Sequence, residues 1–546
     1  MQKRWVVASE EIAESRANIR EVLLNNRGIK ERDEFFSPPE PVGLLDRLPA
    51  YFPDLDLKQL AKATERIRKA ISSGEKITVW GDYDVDGICA TAVLWQTLHG
   101  LGADVLPHIP DRFKEGYGLN SMGIEKLARE GRSLIITVDS GITAREEAAA
   151  AKKAGVDLII TDHHLKPKLL PEAFAIVHTT ELCGTGIAWL LSSQIETNSL
   201  KLETGLDLVA IATVADLQPL LGVNRALVKR GFEVLTALKR PGLAALAEAA
   251  GLKPGNLGSY AAGWVLGPRI NAAGRLRHGI EALRLLCTPD LAQARQLAQL
   301  LNSVNAERQA LTVHTFDHAK GLVKGSDGLI VIHHDSWHEG IIGLVAGKIV
   351  EEYGRPAIVI AQGKEFSKGS ARSVNGINIV EVLRSQERWL KDVGGHEAAA
   401  GFTILSANIE KFAESIRRES RSLLENFDPR PILKIDLPLP IDRIDLKFLK
   451  ELEEFAPHGV GNSEPVFVDW GVRILGKKRV GRSRQHLKLT LERGLEALWF
   501  GVPGEEPALD QPVALAYTPQ IESWQGMEKA VLRVRDLKEA GPALGG

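Results

Sequence analysis

The chain has little cysteine, almost no net charge and no long apolar run. Its three cysteines, Cys89, Cys183 and Cys287, are widely spaced in 546 residues and form no metal-spaced pair. Neither a disulfide framework nor a thiolate zinc site is expected, and the thiols read as reduced core residues of a cytoplasmic protein. The formal net charge of −2 does not announce a nucleic-acid binder. A local basic groove can still neutralise phosphates whatever the total. No apolar stretch reaches the roughly 18 residues that a membrane-spanning helix needs, so no membrane partner is expected. The opening MQKRWVVASEEIAESR lacks the apolar centre of a signal peptide. Internal repeats and low-complexity blocks are also absent.

Hydrophobic residues make up 44% of the chain, enough for sizeable cores. The length suggests about three or four domains at roughly 150 residues each. The most informative feature is a set of acidic clusters, each just after a short apolar run. Ile77 to Trp80 leads into Gly81-Asp82-Tyr83-Asp84-Val85-Asp86-Gly87. Leu134 to Val138 leads into Asp139-Ser140-Gly141, and Leu158 to Ile160 into Thr161-Asp162-His163-His164. Such runs predict buried parallel strands. Ligands bind beyond the carboxyl ends of the strands in an open parallel sheet, so the three clusters should face one crevice. Gathered carboxylates raise one another's pKa values and call for cations. Aspartates with histidine, and no cysteine among them, suit Mn²⁺ or Mg²⁺ better than a closed zinc site. A metal-dependent hydrolase is the expectation.

Along the chain, residues 1–45 read as a helical lead-in, ending in Ser37-Pro38-Pro39-Glu40-Pro41. Residues 46–275 alternate strand and helix signals, which predicts a doubly wound parallel sheet. Within it, Leu206 to Val214 forms an apolar helix delivering Asp216. A connecting segment, 276–325, carries a long amphipathic helix with Pro289 at its first position. A second α/β unit spans 326–425, with strands at Leu329–His333 and Ala357–Ile360 and a helix between. From 430 to 540, short alternating runs suggest a small β-barrel. Gly340 to Lys348 (GIIGLVAGK) hints at a phosphate-binding loop, but the spacing is wrong and Ile349 replaces the required Ser or Thr. It reads as a helix packed closely on its sheet.

The motifs GDYDVDG, VDSGIT (Val138 to Thr143), TDHH, GPRINAAGR (Gly267 to Arg275) and GGH (Gly394 to His396) occur in the order found in the DHH phosphoesterases. The chain resembles the branch of that family that degrades single-stranded DNA from the 5′ end. The resemblance implies a DHH domain, a connecting helix, a DHHA1 domain and an OB-fold. It implies two divalent ions sharing a bridging aspartate: Asp84 and Asp139 with Asp82 for the first, and Asp86, Asp139, His163 and Asp216 for the second. Such a pair lowers the pKa of a bridging water and stabilises the attacking and leaving oxygens at phosphorus. Many relatives begin the first motif with histidine where this chain has Trp80, and Asp82 is the candidate to replace that ligand. Asp162 is either a turn former or the group that orients a histidine. His164 is expected to orient the phosphate or act as general acid.

The same resemblance puts Arg275 on the scissile phosphate, with Arg269 and Asn271 as further donors in a loop beside the metals and His396 approaching from the second lobe. Arg112, Ser370 and Arg372 would form a pocket for the 5′-phosphate, and Tyr117 would stack on a base. In the barrel, a basic run holds Arg473, Lys477, Lys478, Arg479, Arg482, Arg484, Lys488 and Arg493, with Glu492 the only acid among them. It reads as a strip that tracks a nucleic-acid backbone. Release of 5′-mononucleotides from single-stranded DNA, in repair and recombination, is the implied activity. A single-strand-binding protein or a helicase is the implied kind of partner, and a monomer the default. Two other readings share part of the evidence: a phosphodiesterase for short oligonucleotides, and a non-catalytic scaffold.

Overall fold

Strands buried on both faces need helices on both sides, and that requirement organises the first half of the chain. The computed structural model describes residues 3–10, 15–196, 203–255, 257–323, 325, 328–425, 427–502, 506–524 and 526–539. Five parallel strands form the first sheet, in spatial order Asp104–His108, Lys76–Trp80, Leu134–Val138, Asp157–Asp162 and Ala175–His178. Chain order reverses between Lys76–Trp80 and Leu134–Val138, which makes their carboxyl ends a topological switch point. The register pairs Trp80 with Thr137, so Asp82 and Asp139 each sit two residues beyond a paired position. The helix Val85–Gly100 is apolar almost all round and lies in the middle of the core.

Helices Leu206–Ala215, Gly222–Thr236 and Pro241–Ala249 complete this lobe. A six-residue π-helical stretch, Ala261–Leu266, then runs directly into the α-helix Gly267–Leu276. The segment expected as a loop, GPRINAAGR, is therefore helical. Pro268 has no N–H and crowds the carbonyl four residues back, and the wider π turn just before it relieves both problems. Ile280–Cys287 is a separate helix packed on the catalytic core, so the connecting helix starts later than 276, at Leu291, and runs to Leu322. Its cap is Asp290, whose carboxylate accepts from the N–H groups of Ala292 and Gln293. Pro289 thus precedes the cap instead of opening the helix.

The second lobe is a mixed sheet, in order Leu390–His396, Ala399–Leu405, Phe366–Arg372, Ala357–Ala361 and Ile330–His334; only the last two strands pair in parallel. GIIGLVAGK opens its helix Ile342–Tyr353. In the third unit, Phe467–Val480, His486–Leu491, Glu496–Trp499, Met527–Glu539 and Pro512–Trp524 pair in turn. The last of these returns to Phe467–Val480, closing a barrel. The lead-in is not purely helical. Arg4–Val7 forms a strand parallel to Ile432–Ile435, and the helix Arg16–Asn26 contributes Ile19, Leu23 and Leu24 to the barrel's core. Among the described residues, no helix is long and apolar enough to cross a membrane.

Arg225 ties these pieces together. Its guanidinium donates to the carbonyls of Phe35, Glu454, Phe455 and Ala456 at 2.7, 3.1, 3.0 and 2.8 Å, and it lies 3.8 Å from the Phe35 ring centre. Among the described residues no carboxylate pairs with it, and burial pushes its pKa down to about 10. Replacing Arg225 by Ala orphans several carbonyls, so we expect a loss of about 3 kcal/mol or more at this junction. Limited proteolysis should then cut between the second lobe and the barrel sooner than in the native chain. An unchanged cleavage pattern would rule out Arg225 as the clamp.

Candidate metal centre

The acidic loop is held by its own helix. Asp84 caps Val85–Gly100, one carboxylate oxygen accepting from the N–H groups of Asp86 (2.9 Å) and Gly87 (3.0 Å). Asn271 accepts from Val85 N–H at 2.7 Å. Gly274 presses so close that a Cβ there would meet the Tyr83 carbonyl at 2.1 Å. The helix Gly267–Leu276 is thus a buttress under the acidic loop, and its small residues allow the approach.

The other carboxylates are fixed from across the sheet. Asp86 accepts from the N-terminus of the helix Gly184–Ile195: Gly184 N–H at 2.6 Å, Thr185 N–H at 2.8 Å and the Thr185 hydroxyl at 2.6 Å. A Cβ on Gly184 would lie 2.5 Å from that of Asp139. Asp139 and Leu217, the residue after Asp216, are held at φ +62° and +60°, a conformation that costs non-glycine residues strain. Gln218 donates to Asp216 at 2.8 Å. His163 Nε2 stands 3.1 Å from Asp139 and 3.8 Å from both Asp86 and Asp216. Three sets of ligand atoms cluster within 4.8 Å: Asp82, Asp84 and Asp139; Asp86, His163 and Asp216; and Asp139, His163 and His164.

This donor set fits divalent cations. One oxygen each of Asp82 and Asp139 is buried without a hydrogen-bond partner; the Asp139 oxygen is the one at contact distance from His163, where the two atoms make no hydrogen bond. Burial raises the pKa values of Asp82, Asp84 and Asp139 above the usual carboxylate range, with repulsion between neighbours adding to it. The same causes push Asp216 up to about 7. Oxygen donors with one imidazole and no thiolate match Mn²⁺ and Mg²⁺. Trp80 adds no ligand: it is fully buried, and its indole N–H donates to the Gly118 carbonyl at 3.1 Å.

Asp162 points away from this cluster. It accepts from the N–H groups of Ile142, His163 and His164 and from His164 Nδ1 at 2.7 Å. Burial alone would raise its pKa, but the hydrogen bond and charge of His164 and the backbone donors hold it low. Burial works against the charged form of His164 too, yet Asp162 raises its pKa, while burial leaves that of His163 lowered. The pKa values of these neighbouring histidines are thus moved in opposite directions, down at His163 by burial and up at His164 by Asp162.

On the substrate side, Arg275 lies at the seam between the lobes. It is 3.4 Å from the Gly340 carbonyl, and burial with three surrounding arginines and Asp84 leaves its pKa at about 10. Arg112 sits 4.9 Å from the Tyr83 ring centre. The Tyr117 hydroxyl donates to the Asp139 carbonyl at 3.3 Å, and its ring is half-exposed. Arg372 donates to Ser370 at 3.1 Å, and Gly343 lies against both. The His396 and His164 rings stack across the cleft, centres 6.1 Å apart. Arg269 is turned elsewhere, to Asn302 and the Val265 carbonyl at 2.9 and 2.8 Å. In the barrel, Lys477 and Arg479 pair with Glu506 and Lys488 with Glu496. Arg473, Lys478, Arg482 and Arg484 make no ion pair among the described residues. The motifs did not disclose Gly184, Thr185 or Gln218; the only signal for the first two is the short Cys183-Gly184-Thr185-Gly186 turn.

Comparison with known proteins matches three family models: the DHH family N-terminal domain at residues 76–213, the DHHA1 domain at 326–421 and the RecJ OB domain at 435–536. Fold and site together define a DHH phosphoesterase. A Thermus thermophilus single-stranded-DNA-specific exonuclease RecJ is 36% identical over 90% of this chain and 73% of its own length. The Bacillus subtilis RecJ is 34% identical over 89% of this chain, which spans 64% of that relative. The crystal structure of Thermus thermophilus RecJ with Mn²⁺ superposes with a TM-score of 0.85 at 32% identity, covering 100% of this chain and 80% of the other. Its Mg²⁺ counterpart gives 0.79 at 30%, covering 100% and 79%. The chain belongs to the RecJ family of single-stranded-DNA-specific exonucleases.

Gly184→Ala should drive a methyl into Asp139 and shift the helix end that holds Asp86. We expect Mn²⁺ affinity to fall at least about tenfold, measured by calorimetry, with the far-UV spectrum retained. Native affinity in this variant would show that the helix end does not set the ligand geometry.

Proposed function

We propose that this chain is a metal-dependent exonuclease that degrades single-stranded DNA 5′→3′ to 5′-mononucleotides. The observation that carries the reading is one cleft in which a cluster of carboxylates and His163 on the first lobe faces Ser370, Arg372 and His396 on the second. Asp82, Asp84 and Asp139 would hold one ion, and Asp86, Asp139, His163 and Asp216 the other; the bonds from Gly184 and Thr185 leave Asp86 a lone pair on Oδ2 for this. Bound Mn²⁺ or Mg²⁺ would supply charge neutralisation at phosphorus and a more acidic water. Arg275 places a guanidinium at the scissile phosphate, where burial strengthens its field. Asp162 takes Nδ1 of His164, leaving Nε2 to orient or protonate a phosphate oxygen, with His396 reaching the same group from the second lobe. Arg112, Ser370 and Arg372 form the 5′-phosphate pocket, and that pocket sets the polarity.

In this reading the working units are the lead-in (1–45), the catalytic lobe (46–275), the connection (276–325), the second lobe (326–425) and the barrel (430–540). Arg473, Lys478, Arg482 and Arg484, which make no ion pair among the described residues, carry the backbone of a long strand more than Lys477 and Arg479 do. The protein acts in the cytoplasm as a monomer, in repair and recombination, beside a single-strand-binding protein or a helicase.

The test is a long single strand labelled at either end, incubated with Mn²⁺ and the native chain or its Asp139→Ala variant. Mononucleotides released from the 5′ end by the native chain alone are expected. Turnover of dinucleotides without cleavage of the long strand would replace this reading by a short-oligonucleotide phosphodiesterase.

A further inference from the structure

Two large aromatic side chains stand in solvent on the turns that lead into the buttress helix. Tyr260 is 72% exposed and Trp264 76%. Exposed apolar surface marks a binding site when it is contiguous, not when single residues are scattered. Four residues apart on a helical stretch, the two side chains share a face. Gly263 and Gly267 of the same stretch pack on the end of the helix that leads into Asp216: a Cβ on Gly263 would lie 3.1 Å from Val214, and one on Gly267 3.3 Å from Ala215. Trp264 therefore directly follows a residue seated against Val214, two positions before Asp216.

Beside them runs a chain of neighbouring arginines. Arg372 feels the charge of Arg112; Arg275 feels both, and also Arg308; Arg308 feels Arg269. Among the described residues none of the five makes an ion pair. The line starts at the 5′-phosphate pocket, crosses the scissile position and ends at Arg269, whose guanidinium bonds to the Val265 carbonyl next to Trp264. Arg308 adds a second cation from the connecting helix, held only by Asn305.

We propose that Trp264 and Tyr260 form a base-stacking platform for the nucleotides 3′ of the cleaved bond, whose phosphates run over Arg308 and Arg269. The assignment rests on the single-strand reading above for the direction of travel. It needs no particular sequence, because every base offers a π-face. It also gives Arg269 a role away from the scissile phosphate, and makes Trp264 and Tyr260 positioning residues that act on grip and not on the chemical step.

The experiment is fluorescence anisotropy without divalent ions, comparing a 5′-phosphorylated dinucleotide with a strand of about twelve nucleotides. The native chain, the Tyr260→Ala/Trp264→Ala variant and the Tyr260→Phe/Trp264→Phe variant are compared. The alanine pair should weaken binding of the long strand at least about tenfold, leave the dinucleotide unchanged and keep the native melting curve; the phenylalanine pair should retain binding. With Mn²⁺ present, the loss should appear in KM for long strands and not in kcat. Equal weakening of both lengths would assign the pair a structural role, and unchanged long-strand binding would leave the face to a protein partner; either result overturns the proposal. Binding is read without turnover, so a chain that gripped long strands through this platform yet cleaved none would overturn the nuclease reading alone.

Discussion

Five aspartates gathered at one switch point repel one another, and much of the first lobe is arranged to hold them there. Asp84 spends one oxygen capping the helix that carries Asp86. Asp86 takes three donors from another helix end, where backbone N–H groups and the helix dipole favour negative charge. Asp139 is wedged in a left-handed conformation against Gly184. These contacts fix positions without cancelling the charge, so the pKa values of Asp82, Asp84, Asp139 and Asp216 stay raised by burial and mutual repulsion. The frame that holds these carboxylates is built from the protein's own helix ends and backbone donors.

The same logic explains where glycine is needed. Gly274 lets the buttress helix touch the acidic loop. Gly340 meets the Arg275 carbonyl, where a Cβ would approach to 2.0 Å, and Gly343 lies against Ser370 and Arg372. In GIIGLVAGK, which mimics a phosphate loop in sequence, Gly340 thus serves the seam between the lobes and Gly343 makes room for Ser370 and Arg372 within the second. Guanidiniums reach this cleft from both lobes instead, Arg112 and Arg275 from the first and Arg372 from the second.

The sheet of the first lobe and its acidic ends were legible because burial on both faces leaves uninterrupted Val and Ile runs, and because strand order alone sends their ends to one crevice. The N-terminal strand Arg4–Val7 was not, since its partner lies more than 400 residues away and its neighbours read as helix. GPRINAAGR carries proline, asparagine and glycine, which are local loop signals; packing on the acidic loop and a π turn before Pro268 override them. The basic run in the barrel looked uniform along the chain, but Glu506 and Glu496, brought back by the fold, neutralise part of it. Gly184 and Thr185 carry no acid or histidine, and their role exists only through Asp86, nearly a hundred residues earlier.

Trp80 shows how a site and its core change together. Its ring lies tilted against that of His108, centres 4.1 Å apart, and fills the space over Gly123, where a Cβ would meet the indole at 2.4 Å. A smaller imidazole at this position would leave that space empty, so Trp80 and Gly123 belong together as a packing solution. Two residues further on, Asp82 keeps one buried carboxylate oxygen without a hydrogen-bond partner. The packing that fixes Trp80 thus ends where the acidic loop begins, so a cavity opened at the indole would loosen the strand end that presents Asp82.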